Sequence, residues 1–305
     1  MLCRPDRIVL ASLAALVLSC AASAQIGQVE RNAPEAPLPP AADSTRINYA
    51  RLTLVAMGPA IAVVGGYAYI KASYWSDQTT GFHFHHGNDF LYALNLDKVG
   101  HFYAGAFFSD LSASGLRWSG ISQKDSYLYG AVLSSLIQLG FEIKDGYAPT
   151  WGFSTWDVAA GAIGSFYAMG RRHSTLLEAT RIKMGYARRS ESYWEQKEHP
   201  QIVDDYINQT YWLSFDVDRL LPADLDRYWP DFLHLAAGIG IDERTDGTGG
   251  GSRELYLGLD YSLRSLFPEP RSRLVRAILS LLDYIKMPAP AVRLTPSTRF
   301  YGLYW

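Results

Sequence analysis

The sequence predicts a mainly α protein, with a helical bundle of about four apolar helices followed by a smaller α+β region with a β-hairpin. Three observations carry that expectation. Four apolar segments follow one another between Leu52 and Gly170. Small residues recur four apart within them, as Gly105 with Ser109 and Gly161 with Ser165, a spacing that lets helix backbones approach closely. After residue 190 the pattern changes to aromatic, alternating runs.

The first element is a targeting signal. Arg4 and Arg7 precede an apolar run from Ile8 to Leu18, and Ala22-Ser23-Ala24 supplies a small-x-small cleavage site. Residues 1–24 therefore read as a secretory signal peptide. Val17-Leu18-Ser19-Cys20 also loosely matches a lipobox, which makes Cys20 a candidate lipidation position. The other cysteine, Cys3, lies in the segment to be removed, so the mature chain cannot form an internal disulfide. Residues 25–47 hold Pro34, Pro37, Pro39 and Pro40 and read as a linker.

The bundle is expected over residues 48–185. Its segments are 52–70, interrupted by Gly58-Pro59, then 98–116, 126–143 and 155–170. Each of the last three holds polar residues, which makes it marginal as an independent membrane span. The stretch after them carries Arg171, Arg172, Arg181, Lys183, Arg188 and Arg189 against Glu178. With an exported N-terminus, four spans would leave this basic stretch on the wrong side of a membrane. That conflict favours a periplasmic bundle leaning on a membrane, or an odd number of spans. The region 190–305 is read as a helix near 199–208, strands at 232–241 and 254–263 joined across Asp246–Gly251, a helix at 271–286, and a last strand-like run to Trp305.

A formal charge of -2 gives no steering toward nucleic acid. The 20 Tyr and 8 Trp suit interfaces and membrane surfaces, where one ring end stays wet. No phosphate loop, zinc-finger cysteine spacing or serine-nucleophile elbow is present, and nothing names a cofactor.

Ionisable residues within apolar helices need a reason. Asp97 and His101 are one turn apart, so the carboxylate can orient the imidazole or simply cap a helix start. Glu142 and Asp145 stand near a helix C-terminus, where negative charge opposes the dipole, with Lys144 between them and Gln138 one turn before. An ion pair of Glu142 with Lys98 would satisfy both. Asp157 fits a capping box with Ser154. Together Asp97, Lys98, His101, Glu142, Asp145 and Asp157 form a candidate polar centre. His83, His85 and His86 are a second candidate, as ligands for zinc or copper, or as surface histidines.

The order Asp97-Lys98-x-x-His101, Glu142, Ser154-x-x-Asp157 and Gly161 resembles the YfiM-like periplasmic lipoprotein family, whose function is not known, over about residues 90–170. It is more distantly similar to VanZ-like membrane proteins, whose Asn near the last helix has no counterpart at Ala160-Gly161. Leu255–Asp260, Ile285–Pro290 and Leu303–Trp305 resemble the C-terminal part of longer YfiM-like members. The resemblance implies an exported envelope location, periplasmic or membrane-associated, the outer membrane included.

Two functions follow. The first is a membrane-associated accessory protein that binds a lipid or an envelope protein. The second is an enzyme acting on a lipid-linked or cell-wall substrate through the His/Asp/Glu centre, with His101 as general base or metal ligand.

Overall fold

The computed structural model describes residues 47–57, 79–85, 89–196, 201–242, 251–267 and 273–305. The signal peptide, Cys20, nearly all of the linker, His86, and residues 58–70 of the first apolar segment lie outside the described residues.

Three long helices form one layer: α1 (Leu96–Trp118), α2 (Gln123–Asp145) and α3 (Thr155–Gly170). Their starts follow from capping. Ser122 accepts a hydrogen bond from the Asp125 amide, and Ser154 accepts one from the Asp157 amide. α1 starts differently. Ala93, Leu94 and Asn95 all have positive φ, at 43°, 51° and 68°. Left-handed backbone costs a residue with a Cβ roughly 1–2 kcal/mol. The turn is held by Asn95 Nδ2 donating to Phe90 O at 3.0 Å and Arg253 Nε donating to Leu94 O at 2.9 Å.

The helices cross through small and hydroxylated residues. Ser134 Oγ donates to Gly105 O at 3.0 Å, and Ser165 Oγ donates to Ser134 Oγ at 2.9 Å. A Cβ at Gly105 would stand 2.3 Å from Gly161 O. The spacing of Gly105, Ser109, Gly161 and Ser165 thus serves close helix approach.

The second layer overturns the expected hairpin. Six strands form one antiparallel sheet in sequence order: β1 (Thr180–Tyr186), β2 (Gln209–Phe215), β3 (Leu233–Ile241), β4 (Arg253–Tyr261), β5 (Ala289–Thr295) and β6 (Arg299–Tyr304). The expected apolar bundle is overturned as well. Among the described residues three long helices form the layer, α1 lies against the sheet, and the buried faces of the three carry Asp97, Ser109, Ser134, Gln138, Glu142, Asp157 and Ser165. The apolarity lies partly outside instead, with Leu128, Val132 and Leu136 exposed on α2. No described helix is long and apolar enough to cross a membrane.

The region expected as a helix at 199–208 holds only a short 3-10 turn, Ile202–Asp204, within its described part. Its polar side chains explain this. Asp204 accepts from Tyr92 and Tyr193, Asp205 accepts from Tyr186 and Trp194, and Asn208 Oδ1 accepts from the amides of Arg189 and Ser190. Such side chains offer the backbone alternatives to a helix. The helix expected at 271–286 is α4 (Arg273–Leu282), after which the Met184 amide donates to Tyr284 O and Met184 O accepts from the Lys286 amide, along the outer edge of β1.

The sheet is polar on one buried face. Lys183, Trp212, His234, Glu254, Tyr256 and Asp260 point there. The other face carries Ile182, Tyr211, Ile239 and Ile241, which pack on Leu96, Val99, Tyr103 and Ala106 of α1. Within the polar face Lys183 Nζ lies 2.8 Å from Asp260 and 2.9 Å from Asp283.

Two predictions follow from this packing. Gly105→Ala should cost about 1–3 kcal/mol, because the new carbon meets fixed backbone. Gly140→Ala on the same layer, where a Cβ meets nothing within 4 Å, should stabilise α2 by up to about 1 kcal/mol. Urea midpoints of the two variants check the contrast. The second concerns Asp283. Burial pushes its carboxyl up, but Lys183 and Arg181 outweigh burial and hold it below the usual range. Its contribution is therefore full above the unfolded carboxylate range, near pH ~4, and is lost as pH falls through the lower folded value. Asp283→Asn should lower stability at neutral pH by about 3–5 kcal/mol and flatten the acid-unfolding curve below pH ~4.

Candidate functional site

Lys98 organises the centre. Its Nζ stands 2.5 Å from Asp89 Oδ1, 2.8 Å from Asp97 Oδ2 and 3.1 Å from Asp157 Oδ1. The expected pair of Lys98 with Glu142 is replaced by these three contacts. Asp89 was not legible as a site residue. It reaches the centre because the left-handed turn at 93–95 brings the preceding chain back over the start of α1.

Glu142 finds two other partners. Its Oε1 lies 3.5 Å from His101 Nε2, and its Oε2 accepts from the Ser154 amide at 3.1 Å. Ser154 is the junction. Its hydroxyl accepts from the Asp157 amide and donates to Asp89, while its own amide binds Glu142. The capping box is thus completed from another helix. Glu142, not Asp157, takes the Ser154 amide, and the Asp157 carboxylate turns to Lys98. This also explains the charge at the end of α2. Glu142 is unfavourable for its own helix but sits at the favourable N-terminus of α3.

The electrostatics follow from burial. Burial, then the Asp157 charge, pushes Asp97 up to about 7. Burial, then Asp157 and Asp145, pushes Glu142 up to about 9. Burial lowers Lys98, but Asp97 and Asp157 outweigh it and hold the ammonium above its usual value. Burial also depresses His101, whose imidazole is therefore neutral at neutral pH. His101 is nonetheless the most open member, with 27% of its side chain exposed against 3% for Glu142.

Two overlapping groups have the spacing of metal ligands. One donor atom each of His101, Glu142 and Asp157 lie within 4.8 Å of one another, and so do those of Asp89, Asp97 and Asp157. Asp145, at the last turn of α2, acts on Glu142 through its charge and stays outside both groups. Phe90 and Trp156, next in sequence to Asp89 and Asp157, are exposed with ring centroids 5.3 Å apart.

The described histidines of the second candidate belong to neither donor group. His83 Nε2 is 2.8 Å from Trp151 O and its Nδ1 is 3.2 Å from Gly81 O. His85 Nδ1 is buried without a hydrogen-bond partner.

The family described as "Predicted periplasmic lipoprotein (DUF2279)" matches residues 86–172, less than a third of the chain. That span holds every residue of the polar centre from Asp89 to Asp157. The match supports the coarser resemblance, a periplasmic lipoprotein family of unknown function, and carries no separate likeness to YfiM-like or VanZ-like proteins. The family description matches an exported envelope location for the chain. No curated protein and no solved structure matches.

Lys98→Met would leave Asp89, Asp97 and Asp157 together without a cation. Removing one partner of buried charges typically costs about 3–5 kcal/mol. The expected loss is of that size, and Asp97→Asn in the same chain should recover part of it. Thermal and urea unfolding of the single and double variants give the coupling.

Proposed function

We propose that the protein is an envelope enzyme acting on a lipid-linked or cell-wall substrate, by hydrolysis or group transfer at the edge formed by His101, Glu142 and Asp157. The observation that supports this reading most is the convergence of α1, α2 and α3 on that edge, with His101 Nε2 3.5 Å from Glu142 Oε1. An accessory, partner-binding role would use this convergence only to tie the three helices together. Charged groups are costly to bury, and hydrogen bonding alone would be met more cheaply by neutral side chains.

The parts divide by position. Lys98, Asp89, Asp97 and Ser154 hold the frame. His101, the accessible member, meets the substrate and the attacking water or hydroxyl activated there. The exposed Phe90–Trp156 pair, beside Asp89 and Asp157 in sequence, suits the apolar part of a lipid-linked substrate or the face of a sugar ring. The envelope location places the enzyme beside such substrates.

The test compares lipid and cell-wall fractions, by mass spectrometry, from a strain lacking the protein and from strains carrying wild type or His101→Gln. The substrate should accumulate alike in the null and His101→Gln strains while the variant's abundance and melting temperature stay near wild type. Unaltered fractions in both strains, or a variant whose only defect is low abundance, would overturn the enzymatic reading.

A further inference from the structure

We infer that His101, Glu142 and Asp157 bind a single divalent cation of the zinc class, each helix of the layer giving one ligand. This rests on the reading that the polar centre is the functional site, and it names what activates the attacking oxygen there.

The donor atoms lie within 4.8 Å of one another. A cation that draws three donors to about 2.0–2.2 Å requires only side-chain adjustment from that spacing. The second oxygens are already engaged or fixed. Glu142 Oε2 is held by the Ser154 amide, which leaves Oε1 turned to His101. This is the outer support that metal-binding carboxylates use. Asp157 is held through its amide by Ser154, and its Oδ1 is buried 3.1 Å from Lys98 Nζ, so the carboxylate is fixed where the two donor groups overlap.

Gln138 supplies an independent observation. It stands one turn before Glu142, is 5% exposed, and interacts with the His101 ring. Its approach to the His101 ring falls short of full hydrogen-bond geometry, and no other partner among the described residues meets its Oε1 or Nε2. A buried amide left without a well-formed hydrogen bond costs roughly 1–3 kcal/mol. A cation with bound water beside His101 gives that amide a partner.

Charge points the same way. Four carboxyl groups, from Asp89, Asp97, Glu142 and Asp157, share the single ammonium of Lys98 within the centre. Lys98 occupies the Asp89–Asp97–Asp157 side, so the His101–Glu142–Asp157 side is the one left for an added cation. One imidazole with two carboxylates favours a borderline ion over calcium or magnesium, which prefer all-oxygen sites. Three protein ligands and a ligand edge open through His101 leave a fourth position for water or substrate, the pattern of catalytic zinc sites.

The test uses the full chain, purified through a tag without histidine and stripped with a chelator. ZnCl2, and separately MnCl2, is titrated by calorimetry, and bound metal is counted after gel filtration. Wild type should take up one equivalent of zinc. His101→Phe and Asp157→Asn should each weaken binding at least tenfold while circular dichroism stays that of wild type. The double variant His83→Ala, His85→Ala should bind as wild type does. A folded wild type that takes up neither metal would overturn the inference. So would full affinity in both centre variants, or loss of zinc in the His83/His85 variant. Zinc bound and lost as expected, with lipid and cell-wall fractions unaltered, upholds the metal site and removes the enzymatic reading. A zinc-free protein whose His101→Gln strain still accumulates substrate does the reverse.

Discussion

The ammonium of Lys98 is the constraint on which the site depends. Three carboxylates stand within 3.1 Å of it, and they come from three separate pieces of chain: the segment before α1, the first turn of α1, and the first turn of α3. Carboxylates buried this close repel one another strongly, since an interior screens charge far less than water does. Without the cation the starts of α1 and α3 could not share one space. With it, the start of α1 and the start of α3 are fixed relative to each other. The side chains on the following turn, His101 above all, are fixed with them.

Glu142 extends the same logic to α2. Its position at the C-terminal end of its own helix is unfavourable in isolation. It is resolved by a neighbour: the carboxylate takes the Ser154 amide at the N-terminus of α3. One residue therefore links α2 to α3, and its free oxygen faces His101 of α1. The strained turn at Ala93–Asn95 belongs to the same account. Its cost is borne because it returns Asp89 to Lys98 and Ser154.

Much of this was legible in the sequence and some was not, for identifiable reasons. The helices over 98–116, 126–143 and 155–170 appear within two to three residues of their ends, because apolar runs and serine caps mark them. Asp97, Lys98, His101, Glu142 and Asp157 stood out as charges in apolar surroundings and do converge. Asp89 did not stand out, because it precedes the helix in an irregular stretch and its approach depends on φ values that residue types other than glycine seldom adopt. The pairing of Lys98 was misassigned, since spacing along the chain cannot reveal a partner from a reversed segment. The sheet was read short because its buried face is polar. Hydrophobic alternation finds strands whose apolar side defines them, and in β1 and β2 the inward residues include Lys183 and Thr210.

The sheet and the site are joined through α1, which presents different faces to each. Asp97, His101 and Gly105 face α2 and α3, while Leu96, Val99, Tyr103 and Ala106 face the sheet. The second contact is close: a Cβ at Gly100 would stand 2.9 Å from Tyr211 Oη. Tyr284, which follows α4, donates to Asp110 Oδ2 at 2.6 Å and fixes the same helix farther along. The matched family span ends at residue 172, before any strand begins at Thr180. The polar centre is therefore built within the span, and the sheet acts on it chiefly through the placement of α1, with Arg253 of β4 holding Leu94 O before that helix and Thr180 of β1 meeting Tyr167 of α3. A shift of α1 on Tyr211 would move His101 against Glu142 without altering a single residue of the centre. Packing at Gly100 thus bears on the site as directly as the capping at Ser154 does.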